Sequence, residues 1–175
     1  MKEMVPQGLY DISLVLKQGM HHLILDPVKP RIYRYEEASL GSPVTITMLE
    51  ILTHTGTHID CPRHFIADGP TVTDMPLDAT RGPARVIEIQ DPVRITPREL
   101  EAHNIGRGER ILCKTRNSPA VYESRTWIED YVYLGEEAAG YLAERGVRLF
   151  GMDAIRVGYW RDDAPIHATN RALKD

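Results

Sequence analysis

Cysteine, phenylalanine and tryptophan are scarce in this chain, which has only two of each among its 175 residues. Cys61 and Cys113 are too few to form a disulfide framework or a cysteine-rich zinc site. No apolar run approaches the roughly 20 residues that cross a bilayer, and the polar N-terminus lacks the apolar stretch of a secretion signal. We therefore expect no membrane partner and a cytoplasmic location in a reducing compartment.

The chain also lacks an excess of positive charge. Its formal net charge is −4 and no stripe of Lys or Arg stands out, so nucleic acid is not an expected partner. A phosphate-binding glycine loop and a Gly-x-Ser-x-Gly motif are both absent from the sequence. No internal repeat or linker divides the chain, so we expect a single domain of residues 1–175 that acts on a small molecule.

What the chain does have is a dense group of ionisable residues. The segment 54–64 reads His-Thr-Gly-Thr-His-Ile-Asp-Cys-Pro-Arg-His. Gly56, Ile59 and Pro62 disfavour a helix, and the preceding run 44–53 is β-branched and partly alternating, which predicts a strand. We therefore expect the histidines on a strand end and on the irregular loop that leaves it, where catalytic groups are commonly placed.

These residue types match the ligands of a catalytic metal site, which takes about three protein ligands and leaves room for water. His54, His58 and Asp60 offer such a set, and a divalent ion bound there lowers the pKa of water towards neutrality. His64, beyond Pro62, is then free to carry protons. The usual pKa of histidine, about 6.5, suits general acid–base catalysis.

Three other interpretations of the segment remain open at this point. The histidines could cluster by accident, although packing gives no reason to place a carboxylate among them. The metal could be structural, but structural zinc sites are rich in cysteine, and Cys61 alternates with Asp60 along the chain. Cys61 could also be a nucleophile paired with His64, which proximity alone supports.

Hydrophobic patterns elsewhere predict an α/β fold with a mixed sheet. Strands are expected at 10–16, 44–53, 84–90, 110–116 and 147–153, and a long irregular excursion at 17–43. Thr96, Pro97 and Glu99 predict a helix start with a capping box. Gly146 is expected to end a second helix, predicted for 135–145.

The segment 54–64 resembles the signature His-x-Gly-Thr-His-x-Asp-x-Pro-x-His of the cyclase superfamily, to which bacterial kynurenine formamidases and isatin hydrolases belong. Similar flanks extend the resemblance over nearly the whole chain: Tyr10-Asp-Ile-Ser13, Gly19-Met20, Phe65, Gly69, Thr71-Val72, Gly151-Met-Asp153 and Pro165-Ile-His167. It implies a swivelling β/β/α-type fold and a homo-dimer or homo-tetramer. It also implies a metal-dependent hydrolase of non-peptide C–N bonds, similar to the arylformamidases of tryptophan catabolism.

The resemblance further implies a role for each member of the cluster. His54, His58 and Asp60 would bind one zinc or manganese ion. Asp60 would bridge to a second ion that His167 helps to hold. His64 would be the acid–base residue.

Substrate contacts are less well defined by the resemblance. Leu23 stands where formamidases carry a substrate-stacking tryptophan, and Phe65 is a second candidate for lining the pocket. A late segment with Arg156 and Gly158 differs from the Ser- and Asp-containing pattern of the family. A further glutamate ligand of the family would lie beyond Asp175, so we expect the chain to lack the family's C-terminal segment.

Three functions compete on this basis. The first is a hydrolase of a small amide, formamide or lactam. The second is a metal-loaded binding protein without turnover, and the third is a cyclase or an isatin hydrolase-like enzyme. Metal analysis combined with a hydrolysis assay separates the first two, and product mass separates hydrolysis, which adds water, from cyclisation.

Overall fold

The computed structural model describes residues 8, 10–22, 29–123 and 128–159. In chain order the elements are β1 Arg31–Glu36, β2 Ile46–Glu50, α1 Leu77–Thr80, β3 Arg85–Glu88, β4 Arg94–Ile95, α2 Pro97–Glu101, β5 Arg110–Lys114, α3 Asn117–Glu123, β6 Tyr133–Leu134, α4 Glu136–Glu144 and β7 Leu149–Met152. Two 3-10 turns, Ala38–Leu40 and Pro62–His64, follow β1 and β2. None of the helices in these ranges combines the length and apolar character needed to cross a bilayer.

A parallel sheet forms the centre of the molecule, with the strand order β3-β5-β7. Side chains alternate across it, so Ile87 of β3 and Ile111 and Cys113 of β5 are buried on one face. The helices α2 and α4 contribute the apolar residues Leu100 and Leu142 to the same buried cluster. We call these three strands and two helices the parallel core.

The chain after β7 is held against a second, short parallel pair, β4-β6. The backbone N–H of Leu134 in β6 donates to the carbonyl of Val157 at 2.8 Å. The Tyr131 hydroxyl donates to the carbonyl of Gly158 at 2.7 Å. These bonds place residues 153–158 beside the carboxyl ends of the core strands.

The remaining two strands form an antiparallel ribbon, β1-β2, with Arg31 opposite Glu50 and Ile32 opposite Leu49. All five residues of β2 are exposed, so no apolar layer from the described ranges covers the ribbon. Polar pairs hold its strands together, among them the Arg31–Glu50 ion pair at 2.7 Å. The ribbon is followed in the chain by residues 54–64, which we call the histidine loop.

The α/β prediction is confirmed, and parallel and antiparallel strands occur in separate sheets. The predicted strand at 10–16 is wrong: these residues are irregular, and the N–H of Leu14 donates to Thr57 Oγ1 at 2.9 Å. The expectation of an irregular 17–43 is also wrong, because β1 lies within it. The residues of β1 are mostly exposed, so no apolar alternation marked it as a strand.

The predicted capping box at the start of α2 is not formed. Thr96 makes no side-chain bond to the helix. The Glu99 carboxylate instead accepts the N–H groups of Gln90, at 2.5 Å, and Asp91, at 3.2 Å. A tertiary contact to the end of β3 has displaced the local bond. The end of α4 is as predicted, with Gly146 in a positive-φ conformation (65°).

Candidate metal centre

His54, His58 and Asp60 converge at the start of the histidine loop, with their ligand atoms all within 4.8 Å of one another. His54 Nδ1 lies 3.2 Å from His58 Nε2 and 3.2 Å from Asp60 Oδ1. His58 Nε2 lies 3.8 Å from Asp60 Oδ1. Ligands bonded at about 2.0–2.2 Å to one tetrahedral ion are about 3.3–3.6 Å apart, so this donor set fits a divalent ion.

A backbone hydrogen bond orients the His58 ring for this role. Its Nδ1 lies 2.8 Å from the carbonyl oxygen of Gly56. The proton is therefore on Nδ1, and the lone pair of Nε2 faces the two other donors. Gly56 itself has φ +73°, and a Cβ there would lie 2.9 Å from Leu16 Cδ2. The positive φ favours glycine at this position, and the end of the Leu16 side chain would have to move to admit a Cβ.

His64 is presented by a tightly closed turn. The N–H of His64 donates to the carbonyl of Cys61 at 2.9 Å, and the N–H of Arg63 donates to that of Pro70 at 3.0 Å. The turn closes because residue 69 is glycine: a Cβ on Gly69 would lie 2.8 Å from the carbonyl carbon of Pro62. The Pro62–Arg63 backbone therefore leaves no room for a side chain at position 69.

The imidazole of His64 lies next to the metal triangle and not within it. Its ring centroid is 4.5 Å from that of His54 and 4.2 Å from that of Phe65, which it meets edge to face. Although His64 is an exposed residue, partial desolvation of its ring lowers its pKa; Asp60 opposes this, and the neighbouring His54, His58 and Arg156 lower the pKa further. The ring is therefore held neutral at neutral pH and can accept a proton.

An apolar recess of about 240 Å³ adjoins the histidine loop. Its walls come from the front segment, the histidine loop, α3 and the chain after β7: Ser13, Leu14, Val15, Lys17, Met20, His21, Gly56, Val121, Tyr122, Ala154 and Ile155. His21 is 7% exposed and lines the recess. The adjacent pair His21-His22 gives no indication in the sequence that His21 is buried.

A carboxylate at the carboxyl end of β7 fixes one wall of this recess. Asp153 accepts three hydrogen bonds, from Thr115 N–H at 2.9 Å, Thr115 Oγ1 at 2.8 Å and Ser118 Oγ at 2.6 Å. It thereby joins the ends of β5 and β7 to the start of α3. The sequence indicated only that Asp153 ends a strand, because its partners are far away along the chain.

The other predicted site residues are placed as follows. Leu23 and His167 lie outside the described residues. Phe65 packs against His64 and is not among the residues that line the recess. The Cys61 thiol, half-buried, makes no hydrogen bond to a described residue, so a Cys61–His64 nucleophile pair lacks its required contact.

The second cysteine belongs to the parallel core. Burial raises the pKa of Cys113 to about 12, with smaller contributions from the negative charges of Asp153 and Glu99. Its thiol therefore stays protonated and unreactive at neutral pH. Neither cysteine joins the three candidate metal ligands in the cluster that the described residues form.

Comparison with known proteins agrees with this geometry. Kynurenine formamidase of Bacillus cereus is 36% identical over 131 residues, which are 75% of this chain and 61% of that protein. A solved structure described as a potential metal-dependent hydrolase with cyclase activity has a TM-score of 0.76 at 26% identity, covering 94% of this chain and 77% of its own. Isatin hydrolase A of Labrenzia aggregata shares the fold, with a TM-score of 0.74 at 20% identity over 95% of this chain and 77% of its own.

The chain thus spans about three fifths of the length of the curated relative that it matches. The sequence model of the cyclase family matches residues 10–159. That range includes the histidine loop, the recess and the whole parallel core. The chain therefore belongs to the cyclase family.

Proposed function

We propose that this protein is a metal-dependent hydrolase that cleaves the C–N bond of a small amide, formamide or lactam, with an activity like that of arylformamidases. The observation that carries the proposal is the triangle of His54, His58 and Asp60 donor atoms, with His64 beside it. The kinship with a kynurenine formamidase supports the same reaction class.

His54, His58 and Asp60 would hold the ion, which we propose to be zinc or manganese, since imidazole and carboxylate ligands accept both. When bound, a divalent ion supplies Lewis-acid chemistry, because it polarises a carbonyl oxygen and makes water more acidic. A second ion shared between Asp60 and His167 belongs to the proposal through the family resemblance.

His64 would carry the proton. Hydrolysis adds the oxygen of water to the carbonyl carbon and places a proton on the departing nitrogen. A neutral imidazole can accept a proton from the attacking water and return it to that nitrogen, which leaves His64 in its starting state. The Phe65 ring and the closed turn around Gly69 keep the imidazole in place for both transfers.

The recess would hold the organic part of the substrate. Leu14, Met20, Val121 and Ile155 offer apolar surface, and Tyr122 offers an aromatic face. A recess of about 240 Å³ suits a small ring compound better than a peptide. Substrate contacts by Leu23 and Phe65 stay predictions that rest on the family resemblance alone.

The proposal includes assembly as a homo-dimer or homo-tetramer and a cytoplasmic location. Support for assembly comes from the exposed apolar side chains of the ribbon, including Tyr35 (65% exposed) and Leu49 (53%). Exposed apolar patches of this kind are common at interfaces. Light scattering of the purified protein tests the assembly: a monomeric mass would refute it.

The decisive experiment uses protein loaded with zinc or manganese and assayed with N-formylkynurenine, isatin and formanilide. We expect hydrolysis of at least one, with a product heavier by one water or split into formate and an amine. A chelator should abolish turnover and the matching metal should restore it. Bound metal at stoichiometric level without hydrolysis of any of them would instead favour a binding protein.

A further inference from the structure

Arg156 lies on a segment whose backbone is fixed on both sides. Asp153, three residues earlier, accepts three hydrogen bonds from Thr115 and Ser118. Val157 and Gly158, directly after it, accept bonds from Leu134 N–H and the Tyr131 hydroxyl. The guanidinium is therefore carried by a rigid stretch, not by a free loop.

This guanidinium has no partner within the part of the chain that the structure describes. It makes no hydrogen bond and no ion pair there, although its side chain belongs to a half-buried residue. Removing a charged group from water without a partner is costly, so partly buried arginines are usually paired. An unpaired guanidinium of this kind suits a planar carboxylate, to which it donates two parallel hydrogen bonds.

The surroundings of Arg156 connect it with the candidate site. The two preceding residues, Ala154 and Ile155, line the recess together with Gly56 of the histidine loop. The positive charge of Arg156 is also among the influences on both His64 and Tyr131. Arg156 is not itself among the lining residues, but it directly follows two of them, and its charge acts on the acid–base residue.

The charge of the recess is positive as well. Lys17 is among its lining residues, and none of the lining residues in the described ranges is a carboxylate. An anionic ligand in the recess would therefore meet Lys17, with Arg156 following directly after two lining residues, and no carboxylate among the lining residues of the described ranges. A cationic ligand would meet only repulsion there.

We propose that Arg156 binds a carboxylate on the substrate, so that the enzyme selects anionic amides or lactams over neutral ones of the same shape. The inference rests on the proposed hydrolase function and specifies its substrate class. Lys17, exposed at the rim of the recess, would add a weaker, salt-dependent attraction.

The test compares a matched pair of substrates, 2-formamidobenzoate and its methyl ester, which differ in charge at one group. We expect the acid to be preferred by the metal-loaded protein. Arg156→Met should lower the ratio of kcat/KM for acid over ester by about 10- to 100-fold, mainly through KM of the acid. Arg156→Lys should keep part of the preference, because lysine retains the charge but cannot donate two parallel hydrogen bonds to one carboxylate.

Arg145→Met is the matched control. Arg145 is an exposed arginine just after α4 that stacks on Tyr141 at 5.1 Å, so its loss changes the net charge equally. Its acid-to-ester ratio should equal that of the unmodified protein. An unchanged ratio in Arg156→Met, or an equal fall with both substrates, would overturn the inference.

A binding measurement separates this inference from the hydrolase proposal. Benzoate titrated calorimetrically into metal-free protein should bind about 10-fold or more tightly than into Arg156→Met. If neither substrate is hydrolysed but this difference remains, the hydrolase proposal fails and the anion site stands. If benzoate binds both proteins equally, Arg156 is not an anion site, whatever the activity.

Discussion

The parallel core and the histidine loop are stabilised in opposite ways. In the core, Ile111, Leu100 and Leu142 are completely buried and apolar, and their burial contributes about 1.5–3 kcal/mol each. The histidine loop follows a ribbon whose strand β2 is entirely exposed, and Asp60 is exposed as well. Hydrogen bonds determine its shape, both a short-range bond from His58 Nδ1 to the Gly56 carbonyl and a long-range bond from Leu14 N–H to Thr57 Oγ1.

This difference implies that fold and function depend on separate residues. A substitution in the core should lower the free energy of unfolding with little effect on the metal ligands. A substitution in the loop should lower metal affinity or turnover with little effect on unfolding. Loops carried by a rigid scaffold commonly divide the two tasks in this way.

The largest expected effect is that of Asp60→Ala. Loss of the carboxylate removes one of three ligands, so stoichiometric zinc or manganese binding should be lost. Hydrolysis should fall about a thousandfold or more, since the ion supplies several kcal/mol of transition-state stabilisation. Metal analysis and a hydrolysis assay measure both quantities.

Asp68→Ala is the control for Asp60→Ala, because Asp68 is an exposed aspartate shortly after the histidine loop. It should retain metal and activity. The metal-free Asp60→Ala protein should unfold within about 0.5 kcal/mol of the unmodified protein. Near-normal hydrolysis by Asp60→Ala would refute the assignment of the metal site.

The next largest effect distinguishes the candidate metal ligands from the proposed acid–base residue. His64→Ala should keep the metal, because His64 is not a member of the ligand triangle, and lower kcat by about 10²- to 10⁴-fold. His103→Ala, at a half-buried histidine near the end of α2, should leave both unchanged. Loss of metal from His64→Ala would show that the imidazole is a ligand and not a proton carrier.

The same comparison explains what the sequence could predict. The β5 strand and the α4 helix were predictable because Ile111 and Leu142 repeat the spacing of a buried face. The β1 strand was not, because its residues are mostly exposed and its pairing with β2 depends on Arg31 and Glu50, which are 19 positions apart. Glu99 was assigned to a local cap, but a tertiary contact determines its partners.

The candidate metal ligands could be proposed from the sequence for a different reason. His54, His58 and Asp60 are close in sequence, so a metal-binding role can be inferred for them without knowledge of the fold. The recess and the position of Arg156 could not be predicted, because they depend on α3 and the chain after β7 meeting a loop that precedes them by about 65 and about 100 residues. Sequence therefore indicates the reaction class better than the substrate.

A direct test of the division uses one leucine from the parallel core and one from the ribbon that precedes the histidine loop. Leu142→Ala, in α4 and completely buried, should lower the free energy of unfolding by about 2–5 kcal/mol. Leu49→Ala, in β2 and 53% exposed, should change it by less than about 0.5 kcal/mol in the isolated chain. Urea unfolding of the metal-free proteins measures both.

Metal affinity should be the same in these two leucine variants, because neither residue contacts a ligand. A large effect of Leu49→Ala would show that the ribbon contributes to a packed layer, such as a subunit interface. Dependence of that effect on protein concentration would identify the partner as a second copy.

The smallest expected effect tests whether local backbone shape or the core sets metal affinity. Gly56→Ala places a side chain at φ +73° and 2.9 Å from Leu16 Cδ2, a strain of about 1–2 kcal/mol. Without metal the loop can relax away from this conformation, because it is held by a few hydrogen bonds, among them those from His58 to the Gly56 carbonyl and from Leu14 to Thr57. The strain should therefore weaken zinc binding by about 5- to 30-fold and hardly alter unfolding of the metal-free protein.

Gly140→Ala provides the opposite control in the core. Gly140 lies within α4, where an added Cβ would have no neighbouring atom within 4 Å, so alanine should stabilise the helix by about 0.5–1 kcal/mol. Its zinc affinity should not change, because the core does not set the positions of the ligands. If Gly56→Ala instead lowers stability while zinc binds as tightly as before, the histidine loop already has its metal-binding shape in the metal-free protein, and the two regions are not independent.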